Sequence, residues 1–180
     1  MTELLRVLGI DPGLAATGFG VVDGDGRAAT VVTLGAIRTR AKDARAQRLA
    51  QISEFIGALI EEHRPQELAI EQQFVAHNVR SAFAIGEVRS AAMVAAATRG
   101  VDVFEYAPTA VKEAVTGYGA APKEQVRHMV MVHLGLSEEP SPLDASDALA
   151  IALTRLAELP AEAALARTAR VRGGAASADE

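Results

Sequence analysis

Two carboxylates occupy unusual places in this 180-residue chain, because each one ends an apolar stretch that is typical of a buried strand. Asp11 closes VLGID and is followed by Pro-Gly, a turn signal. Glu71 closes LAIE and is followed by two glutamines. In α/β sheets, ligand sites gather beyond the carboxyl ends of strands. If the two strands are adjacent and parallel, both acids reach one mouth of the sheet, whereas either acid alone could be a capping or loop-bonding carboxylate.

A second pair of acids stands at the start of the last strongly helical segment. Asp144 and Asp147, in DASD, are three residues apart, so they share one face of a first helical turn. Capping is the alternative role, because Asp is a favoured N-cap and a second acid three residues later resembles a capping box. Asp147 directly precedes the apolar run ALAIAL, which indicates that its face points towards the sheet.

Together the four acids predict a particular chemistry. Carboxylates that converge on one mouth repel one another, and some would stay protonated unless a divalent cation were bound. The donors are oxygens, there is no cysteine, and the four histidines are too scattered to form a metal site, which favours a hard ion such as Mg²⁺ or Mn²⁺. Two such ions about 3.5 to 4 Å apart would suit in-line attack on a phosphodiester. The pattern predicts a metal-dependent phosphoryl-transfer site.

The elements that must position these acids follow from hydrophobic periodicity. We predict strands at 4–10, 17–24, 28–39, 67–71 and 101–107. We predict helices at 44–63 and 78–98, a short one from Thr109, one that opens at Pro122, and one over 144–159 that closes before Pro160. The order βββαβαβααα predicts an α/β domain over residues 1–159 with a five-stranded mixed sheet, in which three antiparallel strands are extended by two strands reached through helices. Residues 160–180 are expected to form a flexible tail.

Composition excludes several classes of protein. The absence of cysteine removes disulfides, thiolate catalysis and cysteine zinc sites, and fits a reducing cytoplasm. No run of about 18 apolar residues occurs, so no membrane span is expected. The net charge of −5 argues mildly against nucleic acid, although the basic residues are clustered. A solvated face is the alternative for each of them, namely Arg38, Arg40, Lys42, Arg45, Arg48, Lys112, Lys123 and Arg127.

Four motifs carry a family resemblance. In order and spacing, GIDPG…TGFGV, AIEQQF, VFEYAPTAVKEAVTGYGAAPKEQVRHMV and DASDALAIA resemble the bacterial RuvC-type Holliday-junction resolvases over roughly residues 5–156. The resemblance implies a ribonuclease H-like fold and a homodimer. It also implies resolution of four-way DNA junctions by paired symmetric nicks, with two Mg²⁺ or Mn²⁺ ions per subunit. A branch-migration helicase complex of the RuvA-RuvB type is the usual partner.

The resemblance also assigns residues. The family's catalytic, metal-binding acids fall on Asp11, Glu71, Asp144 and Asp147. Its DNA contacts fall on Phe74, Arg80, Lys112 and Lys123. The aromatic ring at position 74 would stack against an unpaired base at the crossover, with core packing as the alternative. His77 departs from the lysine that is common in the family, which would weaken a phosphate contact at neutral pH.

The second long helix is the candidate dimer surface. Its sequence SAFAIGEVRSAAMVAAA, residues 81–97, has more apolar face than one side of a sheet requires. We expect its small residues to let a second copy approach, so a charge at Ala92 or Ala96 should dissociate the dimer. A helix buried wholly within its own domain is the alternative. GEVRS at 86–90 replaces a GQARG-like run of the family, so the dimer geometry could differ.

Three other functions compete with this interpretation. The glycine-rich DPGLAATGFG could cradle ATP phosphates as in sugar kinases and actin-like ATPases, but those need two lobes and far more than 180 residues. A related nuclease could act on RNA or on other branched DNA. A junction-recognition module without activity would require the four acids to be structural.

Overall fold

The computed structural model describes residues 4–72 and 79–175 of the chain, with side chains described through residue 161. Within these ranges the elements follow the predicted order βββαβαβααα. The strands are β1 (Leu5–Asp11), β2 (Ala16–Gly24), β3 (Ala29–Arg38), β4 (Glu67–Glu71) and β5 (Asp102–Tyr106). The helices are α1 (Arg45–His63), α2 (Val79–Ala97), α3 (Pro108–Thr116), α4 (Lys123–Leu134) and α5 (Leu143–Ala175).

The sheet has the strand order β3-β2-β1-β4-β5, which confirms the predicted mixed architecture. The first three strands are antiparallel, and β4 and β5 run parallel to β1. The central parallel pair aligns Ile10 with Ile70. Asp11 and Glu71, the residues that follow this pair, therefore lie at the same edge of the sheet. The two strands are adjacent and parallel, as a shared site for both acids requires.

Helices cover both faces of the sheet, because successive residues of β1 point to opposite sides. Val7 packs into a core with α3, α4 and α5, whereas Leu8 and Ile10 pack into a second core with α1 and α2. The chain thus forms three layers, with the sheet in the middle.

Glycines on β1 and β2 let α5 lie directly on the sheet. A Cβ at Gly18 would overlap the backbone carbonyl of Asp144, and a Cβ at Gly9 would overlap that of Ala148. Because no side chain stands between them, the backbone of α5 contacts the backbone of both strands. Asp11 pairs with Gly18 across β1 and β2. The first turn of α5 is therefore fixed beside the end of β1.

Helix α5 is longer than predicted. It continues to Ala175 with Pro160 inside it, so the prediction that it closes before Pro160 is wrong. The segment after Pro160 is rich in Ala and Arg, strong helix formers that outweigh the hydrogen bond lost at proline. Pro160 also lies against Gly26 in the turn between β2 and β3. The domain boundary at residue 159 and the flexible tail remain predictions. In the described ranges, no helix, α5 included, is apolar enough over a sufficient length to cross a bilayer.

Two further predictions differ from the structure. Pro122 is the N-cap residue of α4 rather than its first helical residue. Ala92 and Ala96 are 0% exposed, so they face the core of their own domain and cannot be the dimer contacts that the sequence predicts. Helix α2 carries apolar residues all around, and therefore the sequence alone did not reveal which side faces inward. Its large exposed apolar side chains are Val79, Phe83 and Val94.

Candidate active site

A cavity of about 320 Å³ opens at the edge of the sheet where β1 and β4 end. Three acids line it, namely Asp11 from β1, Glu71 from β4 and Asp147 from α5. Lys112 from α3 and Lys123 from α4 complete the polar lining. Five elements thus bring three of the four predicted acids, and both predicted lysines, to one place.

Asp144 lies at the margin of this cavity rather than in its lining. Its Oδ2 atom is 3.9 Å from Nη2 of Arg38, at the end of β3, and its side chain is 38% exposed. Its charge nevertheless contributes to the pKa of Asp11. Asp144 therefore shares the electrostatic neighbourhood of the other acids while facing the β3 side.

Capping explains neither aspartate of α5 well. The helix begins at Leu143, so Asp144 is its second residue and Asp147 lies further in. A capping box needs its first residue at the N-cap, the position before the helix starts. Ala145 donates its backbone N–H to the carbonyl of Pro142 at 3.0 Å, so a backbone acceptor already serves the first turn. Asp147 instead faces the cavity.

The acids perturb one another's protonation. The pKa of Asp11 is raised to about 7, first by burial and then by repulsion from Asp147, Glu71 and Asp144, against the pull of Lys123. The pKa of Glu71 is raised by burial and by Asp147, against the pull of the two lysines. Raised values mean that the protein itself does not neutralise this concentration of negative charge.

The donor set fits a hard divalent cation. Its ligands are carboxylate oxygens, which Mg²⁺ and Mn²⁺ prefer. Within residues 4–72 and 79–175, no three His, Cys, Asp or Glu side chains form a compact metal-binding group. The acids are thus near enough to shift each other's pKa but do not form a closed, preassembled ligand shell.

The lysines form one wall of the cavity. Lys123 is the first residue of α4, with Nζ 3.8 Å from Oδ2 of Asp147 and a side chain that is 70% exposed. Lys112 is half-buried on α3. Gly117 ends α3 at a φ of 77°, a left-handed conformation that lets the chain turn towards α4. An exposed ion pair contributes little stability, so Lys123 can exchange its carboxylate for a phosphate.

The structure places one of the other predicted DNA contacts, Arg80, away from this cavity. Arg80 is exposed on the first turn of α2 and is absent from the cavity lining. Phe74 and His77 lie outside the described residues. The roles of these three residues therefore rest on the family resemblance.

Hydrogen bonds that the sequence did not predict fix the turn after Asp11. The hydroxyl of Thr17 donates to the carbonyl of Gly13 at 2.7 Å, and the hydroxyl of Thr39 donates to the carbonyl of Leu14 at 2.6 Å. Arg48 donates from Nη2 to the same Leu14 carbonyl at 3.0 Å. The sequence placed Arg48 in a basic cluster, either a nucleic-acid contact or a solvated face, and did not indicate this structural role. The available signal was that a strand ending at Arg38 brings the following residues to the edge that holds Asp11.

Comparison with known proteins agrees with this architecture. The family model described as "Crossover junction endodeoxyribonuclease RuvC" matches residues 7–155. A protein of that name from Chromohalobacter salexigens is 55% identical over 148 residues, which cover 82% of this chain and 78% of the relative. Another from Parafrankia sp. is 46% identical over 176 residues, which cover 94% of this chain and 99% of the relative.

A solved structure gives the same result. The Thermus thermophilus RuvC in complex with a Holliday junction substrate superposes with a TM-score of 0.80 at 38% identity, covering 83% of this chain and 92% of that chain. The match confirms the predicted ribonuclease H-like fold. One conclusion follows from the family model, which matches most of the chain, from the relatives at 55% and 46% identity, and from the shared fold. The protein belongs to the RuvC family of crossover junction endodeoxyribonucleases.

Proposed function

We propose that this protein resolves four-way DNA junctions by hydrolysing one phosphodiester in each of two opposed strands. The observation that carries the proposal is the cavity at the ends of β1 and β4, where three carboxylates and two lysines meet in a chain of this family. The related Thermus thermophilus protein was solved with a Holliday junction substrate. A cytoplasmic location is part of the proposal.

Asp11, Glu71, Asp144 and Asp147 hold two divalent cations, either Mg²⁺ or Mn²⁺. Nucleases of this family depend on metal. Two bound cations would activate a water molecule on one side of the scissile phosphate and stabilise the leaving oxygen on the other. The raised pKa of Asp11 and of Glu71 supports this assignment, because bound positive charge would favour the ionised form of both acids.

The lysines bind the DNA backbone. Lys112 and Lys123 line the same cavity as the acids, so each can reach a phosphate that lies over it. A phosphate held there is oriented for attack, and holding reactants in this way can contribute several powers of ten to a rate. Phe74 stacks on an unpaired base at the crossover, and Arg80 contacts the backbone. Both of these roles follow from the family resemblance.

The active form is a homodimer, because two symmetric nicks need two sites on a two-fold junction. A second copy would cover the exposed apolar side of α2. Phe83 is 69% exposed, and Val79 lies one turn before it. These two residues, together with Leu49 of α1, line an open groove of about 800 Å³. A helicase complex of the RuvA-RuvB type delivers the junction.

Cleavage of a synthetic four-way junction tests the proposal. The junction is labelled on opposed strands and incubated with Mg²⁺ or Mn²⁺, beside a linear duplex and an RNA hairpin. We expect paired nicks at symmetric positions that leave ligatable duplexes. The Asp11→Asn variant serves as the control, because its amide is nearly isosteric but lacks the charge that a metal ligand needs.

Each alternative gives a different result. Comparable cleavage of the RNA hairpin would indicate a related nuclease with another substrate. Junction binding without cleavage in either metal would indicate a recognition module. If Asp11→Asn kept more than a few per cent of the wild-type cleavage rate, the assignment of Asp11 as a metal ligand would be contradicted.

A further inference from the structure

Cationic side chains border the mouth on its β3 side, away from the two lysines. The segment 38–48, here called the β3–α1 shoulder, carries five cationic residues and one anionic residue in a chain of net charge −5. Arg40 pairs with Asp43 at 2.9 Å, and Arg45 pairs with Glu87 of α2. The described acids therefore neutralise only part of the positive charge of the shoulder.

Strand register brings Arg38 to the same edge of the sheet as Asp11. Asp11 pairs with Gly18 of β2, whereas Arg38 pairs with Ala16, two residues nearer that edge. A strand advances about 3.3 Å per residue, so Arg38 lies roughly 7 Å beyond the row of Asp11 and two strands away. Its side chain is 67% exposed, and its ion pair with Asp144 is 3.9 Å long. Such an exposed pair is weak enough to be exchanged.

The shoulder is tied to the turn that follows Asp11. The N–H of Thr39 donates to the carbonyl of Ala15 at 3.1 Å, and its hydroxyl donates to that of Leu14. Arg48 donates from Nε to the Thr39 hydroxyl at 2.8 Å and from Nη2 to the Leu14 carbonyl. Among the described residues, no carboxylate lies within ion-pair distance of Arg48. The backbone that carries Arg38 is thus held at a fixed place relative to Asp11. Arg48, which holds it there, is itself positively charged.

We propose that Arg38 binds a backbone phosphate next to the one that is cleaved, and that Arg48 is the positioning residue that holds the shoulder against the Asp11 turn. This inference rests on the proposed action on DNA. A strand laid across the mouth would meet the two lysines on one side of the acids and Arg38 on the other. A guanidinium can contact a phosphate through two parallel hydrogen bonds, which a single weak contact to Asp144 does not provide.

The salt dependence of DNA binding tests the contact. Junction affinity is measured without divalent metal over a range of salt concentrations for the wild type, Arg38→Gln, Arg38→Lys and Arg27→Gln. Arg27 is an exposed arginine in the β2–β3 turn at the far edge of the sheet, so it is a matched control for lost charge. We expect Arg38→Gln to reduce the slope of log affinity against log salt by about 0.9 and to weaken low-salt binding about threefold to tenfold. Arg38→Lys restores the slope, and Arg27→Gln leaves it unchanged.

A double variant separates a phosphate contact from an effect that passes through Asp144. If Arg38 acted only by restraining Asp144, Arg38→Gln would not change the slope in an Asp144→Asn background. A phosphate contact predicts the same loss of slope in both backgrounds. Arg48→Lys keeps the charge but loses the planar fork of donors. We expect it to lower the single-turnover rate at saturating junction about threefold to tenfold while the salt slope stays at the wild-type value.

The outcomes distinguish this inference from the function on which it rests. An unchanged slope in Arg38→Gln, in a protein that binds and cleaves junctions and melts normally, overturns the inference alone. A wild type that neither prefers nor cleaves junctions overturns the proposed function. The slope measured on a linear duplex then still decides whether Arg38 contacts a phosphate.

Discussion

Helices α5 and α2 cover opposite faces of one sheet, and they reach it in different ways. Under α5 the sheet supplies the small residues, because Gly9 and Gly18 leave room for the helix backbone. Under α2 the helix supplies them, since its Ala92 and Ala96 are buried in the core that it shares with α1 and the strands. The first arrangement fixes a helix backbone and the acids at its start. The second leaves some large side chains of α2, such as Phe83, exposed on the outer side of the helix.

The largest expected effect is at Asp147, which α5 delivers to the cavity. We expect Asp147→Asn to lower cleavage by on the order of 10³-fold or more while the protein stays folded, because a metal ligand loses its charge. A residue that merely capped the helix would cost about 1 kcal/mol of stability and leave activity largely intact. Single-turnover cleavage and thermal melting of one sample decide between these roles. Asp102→Asn, at an exposed acid that starts β5, is the matched control.

The glycine contact beneath α5 gives the next largest effect. A Cβ at Gly18 would overlap the carbonyl of Asp144, so Gly18→Ala must displace the start of the helix. We expect cleavage to fall about 10- to 100-fold, because small errors in position are costly, with a loss of about 1–3 kcal/mol of stability. Gly119→Ala is the control, because its Cβ would make only ordinary contacts. Equal rates for the two variants would show that the helix position is not critical.

A pair of substitutions on α2 tests the other side of the comparison. Phe83→Asp should leave the melting temperature nearly unchanged and weaken the dimer about 100-fold, since a two-fold interface loses the same apolar contact twice. Ala92→Asp should instead unfold the domain, because it buries an unpaired charge. Sedimentation equilibrium and calorimetry measure the two quantities. A wild type that is monomeric at micromolar concentration, with and without junction DNA, would refute the dimer.

A smaller effect is expected at Lys112, on the wall of the cavity that the two lysines form. Lys112→Ala should slow cleavage roughly tenfold and reduce the salt slope of junction binding by about one, because one phosphate contact is lost. Glu113→Ala, at the exposed neighbouring position of α3, controls for a general disturbance of the helix. An unchanged slope would mean that Lys112 is only solvated.

The last effect is a pH dependence of stability in the absence of metal, which does not depend on cleavage. Asp11 has an ordinary pKa of 3.8 when unfolded and about 7 when folded, so the folded state binds more protons between these values. The free energy of unfolding therefore falls as pH rises from about 4 to 7, by at most about 4 kcal/mol from this residue. In a chelating buffer, the melting temperature of Asp11→Asn should match that of the wild type near pH 4 and exceed it by several degrees at pH 8. A constant difference across this range would contradict the raised pKa.

The site could be predicted best where a residue type does not suit its surroundings, as when a charged residue ends an apolar strand. An acid at the end of an apolar strand could be a capping or loop-bonding group when it stands alone, but two such acids, Asp11 and Glu71, favour a shared site if their strands are neighbours. The orientation of a helix could not be predicted where its sequence shows no such contrast between residue types. Helix α2 is apolar all around, so nothing distinguished the inward position of Ala92 from the outward position of Phe83. The prediction that α5 ends before Pro160 was wrong because the high helix propensity of the residues that follow outweighs the tendency of proline to end a helix.

The contact between the backbone of α5 and the glycines of β1 and β2 also bears on how this protein can evolve. Where side chains separate a helix from a sheet, every change in their volume alters the distance between the two layers. Here backbone atoms define that distance at Gly9 and Gly18, so it does not depend on the side chains elsewhere in the core. We therefore expect substitutions among the large residues of either core to change the spacing of the carboxylates little. Neither glycine position shares this tolerance, since any replacement adds a Cβ where a carbonyl oxygen already lies.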